Sequence, residues 1–240
     1  MELRDRHVVI VDGTKGIGAA TARLAAAAGA RVTLTGRSRT SLDAALAGLP
    51  QSVVGELLDF TEPASVAVFA GRIAAPDHLV LSASSAVAWG AFAELAEAAL
   101  ERAFAAKFWG YWRVIQALAG QLPASGSITL VTGAAARAAL PGTAGLAAVN
   151  GALEAMAKVL AVELAPRRVN SVSPGLTATE AYAGLDAAAR EGMFAAAAGK
   201  LPAGRVGQPE DIAQAILLAA SNPFITGATL DVDGGVHLAR

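Results

Sequence analysis

The stretch HVVIVDGTKGIG, residues 7–18, decides the fold of this chain. Its first part, His7–Val11, is a β-branched run typical of a buried strand, and a glycine-rich turn follows it directly. From Gly16 onward the sequence becomes alanine-rich, which favours a helix. Glycines between a strand and a helix permit a tight turn and close approach of a phosphate, whose charge the helix N-terminus attracts. This arrangement predicts a dinucleotide-binding βαβ unit.

The alternation of strand and helix continues along the chain and predicts a doubly wound, Rossmann-type parallel α/β sheet with helices on both faces. We expect one domain, residues 1–240. The expected strands are His7–Val11, Arg31–Thr35, Val53–Leu57, His78–Ser82, Ser127–Thr132, Arg168–Val172 and Thr229–Val232. The expected helices are Gly16–Ala28, Leu42–Leu49, Ala64–Ala75, Glu94–Ala119, Ala144–Ala165 and Pro209–Ala220.

Residues 176–206 interrupt this rhythm and form a long, lid-like insertion between the sixth and seventh strands. Long loops inside compact domains are often functional. The insertion contains a short helical pattern at Asp186–Ala198, and Tyr182, Met193 and Phe194 give it an apolar face. Two interpretations stand side by side: these side chains line a site for a small, apolar substrate, or they dock a surface helix.

Composition excludes several classes of function. A formal net charge of −1 gives no electrostatic basis for binding nucleic acid. The chain has no cysteine, and we see no cluster of His, Asp and Glu with metal-ligand spacing, so no metal is expected. The charged start is unlike a signal peptide, and no uninterrupted apolar run reaches the roughly 18 residues of a membrane span. We therefore expect a cytoplasmic protein without membrane contact.

Basic residues near the second strand favour NADP(H) over NAD(H). A carboxylate commonly ends this strand where a ribose 2′-hydroxyl is bound. Here Gly36 is followed by Arg37 and Ser38, and Lys15 lies in the glycine-rich turn. A guanidinium and an ammonium would attract a 2′-phosphate, although solvated loop cations would look the same.

In their order, these pieces resemble the short-chain dehydrogenase/reductase family across nearly the whole chain. The matching stretches are the turn at residues 12–18, an acid after the third strand, a loop after the sixth strand and the C-terminal tail. The resemblance implies that the acid, Asp59, contacts the adenine. It also implies that the loop, residues 168–175 with Thr177 and Thr179, contacts the nicotinamide carboxamide and the phosphates. The resemblance implies an oxidoreductase that binds NADP(H) and forms a homodimer or homotetramer. The expected cofactor-binding residues are Gly13, Thr14, Lys15, Gly16, Ile17, Gly18, Arg37, Ser38, Asp59, Phe60, Ala83, Ser84, Thr132, Asn150, Pro174, Gly175, Thr177 and Thr179.

The chain departs from the family at its four catalytic positions. The places of the family's asparagine, serine, tyrosine and lysine are held by Lys107, Gly133, Leu146 and Asn150. Leucine cannot donate a proton, a contribution worth about 10²–10⁴-fold in rate. The first glycine of the nucleotide turn is also replaced, by Asp12, which places an acid near the adenosine ribose.

Lysine and asparagine have exchanged places, which suggests an altered site. We hypothesise that Lys107 reaches the active-site cavity as an acid/base or electrostatic group, with Asn150 holding a ribose hydroxyl. The alternative is a solvated or interface lysine beside a tolerated asparagine. Three functions remain open: an NADP(H)-dependent oxidoreductase acting without a catalytic tyrosine, a non-redox enzyme such as a cyclase or isomerase, or a catalytically inactive partner subunit.

Overall fold

A single seven-stranded sheet organises the protein in a computed structural model that describes residues 3–83 and 87–238. All strand pairs are parallel, and the strand order is β3-β2-β1-β4-β5-β6-β7. The order reverses between β1 and β4, where doubly wound sheets bind ligands beyond the carboxyl ends of the strands. The strands are β1 (His7–Val11), β2 (Arg31–Gly36), β3 (Val53–Leu57), β4 (His78–Leu81), β5 (Ser127–Val131), β6 (Arg168–Pro174) and β7 (Thr229–Val232).

Helices cover both faces of the sheet, which confirms the predicted fold class. On one face, apolar residues of α1 and α8 pack against β1 and β2; on the other, α3, α5 and α6 pack against β4 and β5. The α-helices are α1 (Gly16–Ala27), α2 (Arg39–Leu46), α3 (Pro63–Arg72), α4 (Glu97–Ala103), α5 (Trp109–Leu118), α6 (Ala144–Glu163), α7 (Ala187–Ala198) and α8 (Pro209–Ser221).

The single helix predicted at Glu94–Ala119 is wrong in one respect. A π-helical turn, Phe104–Phe108, separates α4 from α5, and the N–H of Trp109 bonds to the carbonyl of Phe104 five residues earlier. Such turns insert one extra residue per turn and occur frequently at functional sites. Apolar periodicity does not reveal them, because the flanking α-helical pattern continues on both sides.

Helix α6 belongs to the core, although its length and apolar composition resemble those of a membrane-spanning helix. Its 20 residues, with a mean hydropathy of 1.4 in the most apolar window, are long and apolar enough to cross a membrane. The sequence prediction considered only uninterrupted apolar runs, so it did not identify this helix. Leu153 and Ala157 of α6 lie in the main hydrophobic core, and the same helix buries Asn150 and Glu154. Core helices of this kind pass the same test, so the finding is weak evidence for a membrane span.

The lid-like insertion is anchored at its base by a parallel bridge between Thr177 and Gly207. It contains a 3₁₀ turn, Glu180–Tyr182, and then α7. The rings of Tyr182 and Phe194 meet edge to face with centroids 5.5 Å apart. Because these two aromatic residues pack on each other, the geometry favours the interpretation that they dock the helix of the insertion.

Candidate active site

The glycine-rich turn leads from β1 into the N-terminus of α1. The Gly13 N–H donates to the Thr35 carbonyl at 3.0 Å, which joins the turn to β2. A Cβ added at Gly18 would lie 2.7 Å from the Gly13 Cα and 2.7 Å from the Ser82 Oγ, so only glycine fits there. The first turn of α1 contains no acidic residue, and Lys15 provides no side-chain cap. The N–H groups of this helix end therefore suit an anion such as a diphosphate.

A carboxylate from the insertion already lies at this helix end. The Gly16 N–H donates to Glu180 Oε2 at 2.9 Å. A Cβ at Gly16 would lie 3.2 Å from Thr179 Cγ2, so the base of the insertion rests directly on the turn. The contact shows that the helix end accepts a negative group. Glu180 is not among the predicted site residues, because no sequence spacing relates it to Gly16.

Asp12 adopts a backbone conformation that glycine favours. Its φ of +60° is in the left-handed region, which aspartate tolerates better than most residues. The Asp12 N–H donates to Thr35 Oγ1 at 3.2 Å, and the Ser82 hydroxyl donates to the Asp12 carbonyl at 3.1 Å. Burial raises the pKa of the Asp12 carboxyl, and the nearby Arg37 guanidinium partly offsets this. The turn is thus intact, with an acid inside it.

The three residues expected around a 2′-phosphate lie at the surface near the end of β2. Lys15, Arg37 and Ser38 are all exposed. The Ser38 hydroxyl caps α2 by accepting from the Ser41 N–H at 3.2 Å. Arg37 is close enough to Asp12 for its charge to oppose the rise that burial causes in the pKa of that carboxyl. Two cations thus remain accessible at the expected 2′-phosphate position.

The residues expected around the adenine differ in their placement. Asp59 Oδ1 accepts from the Thr61 N–H at 3.0 Å and from its hydroxyl, which fixes the carboxylate after β3. The ring of Phe60 packs instead into the core, where a Cβ at Gly110 would lie 2.3 Å from it. Ala83 is buried after β4, and the predicted contact at Ser84 lies outside the described residues.

The loop after β6, which is predicted to contact the nicotinamide, packs closely against the C-terminal segment. Pro174 ends the strand. A Cβ at Gly175 would lie 2.6 Å from the Asp233 Cα. The buried Thr177 hydroxyl donates to the Gly175 carbonyl at 3.0 Å. Thr179 follows at the position that touches Gly16. The loop therefore places the residues predicted for the nicotinamide side next to the glycine-rich turn.

Lys107 is buried at the carboxyl ends of β4 and β5. It lies on the π-helical turn with 5% of its surface exposed. Its Nζ donates to the Thr132 carbonyl at 2.9 Å and to Asn150 Oδ1 at 2.8 Å. Burial lowers the pKa of Lys107 to about 7, and the negative charge of Glu154 opposes this. The alternative of a solvated or interface lysine is therefore wrong.

Asn150 contacts Lys107 directly, and Gly133 makes room for it. A Cβ at Gly133 would lie 2.9 Å from Asn150 Nδ2. A side chain at position 133 would therefore require the Asn150 amide to shift. Three features are therefore sterically coupled: the absence of a side chain at 133, the asparagine at 150 and the lysine at 107.

The tyrosine position of the family is occupied by a leucine in apolar surroundings. Leu146 packs with Ala88, Ala103 and Val149 in a small cluster. Tyr111 is fully buried, and its hydroxyl donates to the Leu81 carbonyl at 2.8 Å. Burial raises the pKa of Tyr111 well above its usual value. Among the described residues at this end of the sheet, Lys107 is therefore the best candidate for a proton donor.

A buried acid adjoins the lysine and was not anticipated. Glu154 lies one turn after Asn150 on α6, and its Oε1 accepts from the Thr132 hydroxyl at 3.0 Å. The Arg137 Nε lies 3.9 Å from Glu154 Oε2, and Arg137 also pairs with Asp231 of β7. The i, i+4 spacing of Asn150 and Glu154 was visible in the sequence, but helical periodicity alone does not separate a buried acid from a solvated one.

The C-terminal segment brings together three potential metal ligands that the sequence spacing did not suggest. Single ligand atoms of Asp231, Asp233 and His237 lie within 4.8 Å of one another. The carboxylate of Asp233 already accepts from the Gly235 N–H and from His237. Asp231 is paired with Arg137. These internal partners account for the cluster as a structural one.

Residues 11–237 match the family described as enoyl-(acyl carrier protein) reductase. The chain belongs to the short-chain dehydrogenase/reductase family. The short-chain dehydrogenase/reductase malC of Malbranchea aurantiaca is 30% identical over 253 residues, which cover 98% of this chain and 96% of that protein. Its solved structure, described as a reductase/Diels-Alderase, has a TM-score of 0.87.

Two further solved structures are similar over 98% of this chain. A small-chain dehydrogenase in complex with NADPH has 36% identity and a TM-score of 0.83, and the match covers 100% of that chain. A short-chain oxidoreductase from Pseudomonas aeruginosa PAO1, described as containing an atypical catalytic center, has 27% identity and a TM-score of 0.88, with 98% of that chain covered. These similarities support an oxidoreductase of the family.

Proposed function

We propose that this protein is an NADP(H)-dependent oxidoreductase in which Lys107 replaces the family tyrosine as proton donor. The observation that carries the proposal is the position of the Lys107 Nζ, buried at the carboxyl ends of the central strands and held by the Thr132 carbonyl and Asn150 Oδ1. A buried amine with a pKa of about 7 can both give and regain a proton at neutral pH.

The cradle fits a dinucleotide. The N-terminus of α1 offers N–H groups to an anion, as its contact with Glu180 demonstrates. Lys15 and Arg37 would hold the 2′-phosphate, Asp59 the adenine, and the loop from Pro174 to Thr179 the nicotinamide side. The similar small-chain dehydrogenase that was solved with NADPH supports this assignment. When bound, the reduced cofactor supplies a hydride.

Three hydrogens on the Lys107 ammonium allow it to donate while remaining held. Two of them are used by Thr132 and Asn150, and the third has no partner among the residues that the structure describes. Reduction adds a hydride to one substrate atom and a proton to a neighbouring atom, and this third hydrogen would supply the proton. The neutral amine then regains a proton from water. Only the ammonium donates, so reduction should slow as pH rises above about 7.

We propose a small, apolar substrate with a polarised double bond, such as an enone or an imine. The position of the tyrosine hydroxyl is lined by Leu146 and its apolar neighbours, which offer no hydrogen bond to an alkoxide. Trp89 and Phe92 are exposed at 62% and 82% beside the loop that precedes α6, where they would line an entrance. A site lined by apolar side chains binds substrates through their apolar surface.

NADPH fluorescence titration, followed by NADPH oxidation with a panel of ketones, enones and imines, tests the proposal. Replacing Lys107 by Met should lower kcat by about 10²–10⁴-fold and leave the NADPH Kd nearly unchanged. Lys158→Met removes the same charge from an exposed position of α6 and is the matched control. Equal turnover by the Lys107→Met variant and the wild type would refute the assignment.

A non-redox activity is the second candidate, and one observation favours it. Glu180 occupies the helix end that a diphosphate needs, and Asp12 adds an acid to the same turn. One similar protein is described as a reductase/Diels-Alderase, a description that joins reduction with another reaction. Absence of NADPH and NADH binding at millimolar concentration would favour this candidate, or an inactive partner subunit, over the oxidoreductase.

We further propose a cytoplasmic homodimer or homotetramer. Trp109 and Trp112 of α5 are exposed at 46% and 41%, and Val159 and Val162 of α6 are exposed as well. Exposed aromatic residues on helices are typical of interfaces between subunits. Analytical ultracentrifugation tests this assembly.

A further inference from the structure

We infer that Glu154 is a positioning residue that keeps Lys107 able to donate its proton, an inference that rests on the proposed role of Lys107. Glu154 is 8% exposed, and its Oε1 accepts from the Thr132 hydroxyl at 3.0 Å. The carbonyl of the same Thr132 accepts from the Lys107 Nζ. Asn150, the other partner of the Nζ, lies one turn before Glu154 on α6. Glu154 therefore bonds to one of the two residues that hold the lysine and lies one helical turn from the other.

The charges around Lys107 make this link electrostatic as well as steric. On α6, Glu154 is the acid whose charge raises the pKa of Lys107 against the effect of burial. Arg137, after β5, lies 3.9 Å from Glu154 and attenuates its charge, while Asp231 of β7 pairs with Arg137. Tyr111, on α5, is neutral because burial raises its pKa.

Glu154 is a buried carboxylate, and burial of an ionised acid is unfavourable unless partners compensate for its lost hydration. Glu154 accepts from the Thr132 hydroxyl and lies near the more distant Arg137 cation. Its negative charge also favours the protonated form of Lys107. With a negative charge at position 154, about half of the Lys107 amines carry a proton at neutral pH. Without it, desolvation acts unopposed and most of them lose the proton that reduction requires.

Direct titration of the lysine side chains tests the inference independently of activity. The chain has four lysines, Lys15, Lys107, Lys158 and Lys200, so their side-chain resonances in ¹⁵N-lysine NMR are few, and Lys107→Met assigns the relevant one. We expect Glu154→Gln to lower the pKa of Lys107 by about one unit. The pH above which kcat for reduction falls should move down by the same amount. Glu163→Gln, at the exposed end of α6, is the matched control and should leave both values unchanged.

Arg137→Gln provides a variant with the opposite expected sign. Removing this cation leaves the charge of Glu154 unattenuated, so the pKa of Lys107 should rise; this variant also carries the test if Glu154→Gln does not fold. Lys107 titrating in Glu154→Gln, or in Arg137→Gln, as it does in the wild type would overturn the inference. A pKa that shifts as expected, together with full turnover by Lys107→Met, would uphold the role of Glu154 toward Lys107 while refuting the proposed catalytic role of Lys107.

Discussion

Replacing Glu180 by Ala should tighten the binding of NADPH. The Glu180 carboxylate accepts from the Gly16 N–H at 2.9 Å, at the helix end where the diphosphate of the cofactor would bind. The cofactor must therefore displace this side chain. A hydrogen bond to a charged group contributes about 1.5–3 kcal/mol in general, but exposure of Glu180 reduces this to about 1 kcal/mol.

The size of the effect follows from the population of the free turn. A preference of about 1 kcal/mol leaves roughly 16% of molecules with the turn free, which weakens the apparent affinity about sixfold. Glu180→Ala should recover this factor, and Glu180→Gln, which keeps a neutral acceptor, should recover part of it. Repulsion between the carboxylate and the phosphates acts in the same direction.

Fluorescence titration of NADPH measures the Kd of each variant at a fixed ionic strength. Glu191→Ala removes the same charge from an exposed position on α7 of the same insertion and is the matched control. A Kd for Glu180→Ala that equals or exceeds those of wild type and Glu191→Ala would show that the contact does not compete with the cofactor.

Three further predictions concern packing, pH and assembly. Gly133→Ala should cost up to about 1 kcal/mol in urea unfolding, because its Cβ would lie 2.9 Å from Asn150 Nδ2 and would push the amide from its hydrogen bond with Lys107; this cost should disappear when Asn150 is already Ala, and an equal cost in both backgrounds would contradict the proposed steric coupling. Burial lowers the pKa of His78 to about 4 from 6.5, so folding stability should fall by up to about 3 kcal/mol as pH decreases from 6.5 to 4. His78→Asn should flatten this dependence, and a slope identical to wild type would exclude His78 as its source. Trp109→Ala should shift the sedimentation profile toward smaller species, and an unchanged profile would exclude the exposed Trp109 face as the subunit interface.

Strand periodicity and the glycine-rich turn were sufficient to predict the sheet. The bounds of β1, β3 and β7 agree with the sequence prediction, because each strand is a short β-branched run limited by turn residues. The π-helical turn was not predictable in this way. The turn contains one additional residue within a continuous helical pattern. The local sequence does not show whether a backbone N–H bonds to the carbonyl four or five residues earlier.

The candidate site was predictable only where family positions could be matched. Matching of family positions identified Lys107 and Asn150 as candidate site residues, and the structure places the Lys107 Nζ 2.8 Å from Asn150 Oδ1. Glu154 and Glu180 were missed because their importance lies in burial and in a contact across 164 residues of sequence. Phe60 was assigned to the cofactor from its neighbour Asp59, whereas its ring completes the core.

The contact between positions 133 and 150 also has a historical consequence. A Cβ at 133 would lie 2.9 Å from Asn150 Nδ2, so a side chain there requires the present amide to move from its place beside Lys107. A lineage that began with a serine at 133 would leave the amide undisturbed by losing that side chain before, or together with, the arrival of asparagine at 150. The same coupling matters to an engineer who restores the family's serine, tyrosine and lysine: changing position 150 together with 133 leaves no amide to displace, and single reversions will understate how close this chain is to the ordinary chemistry.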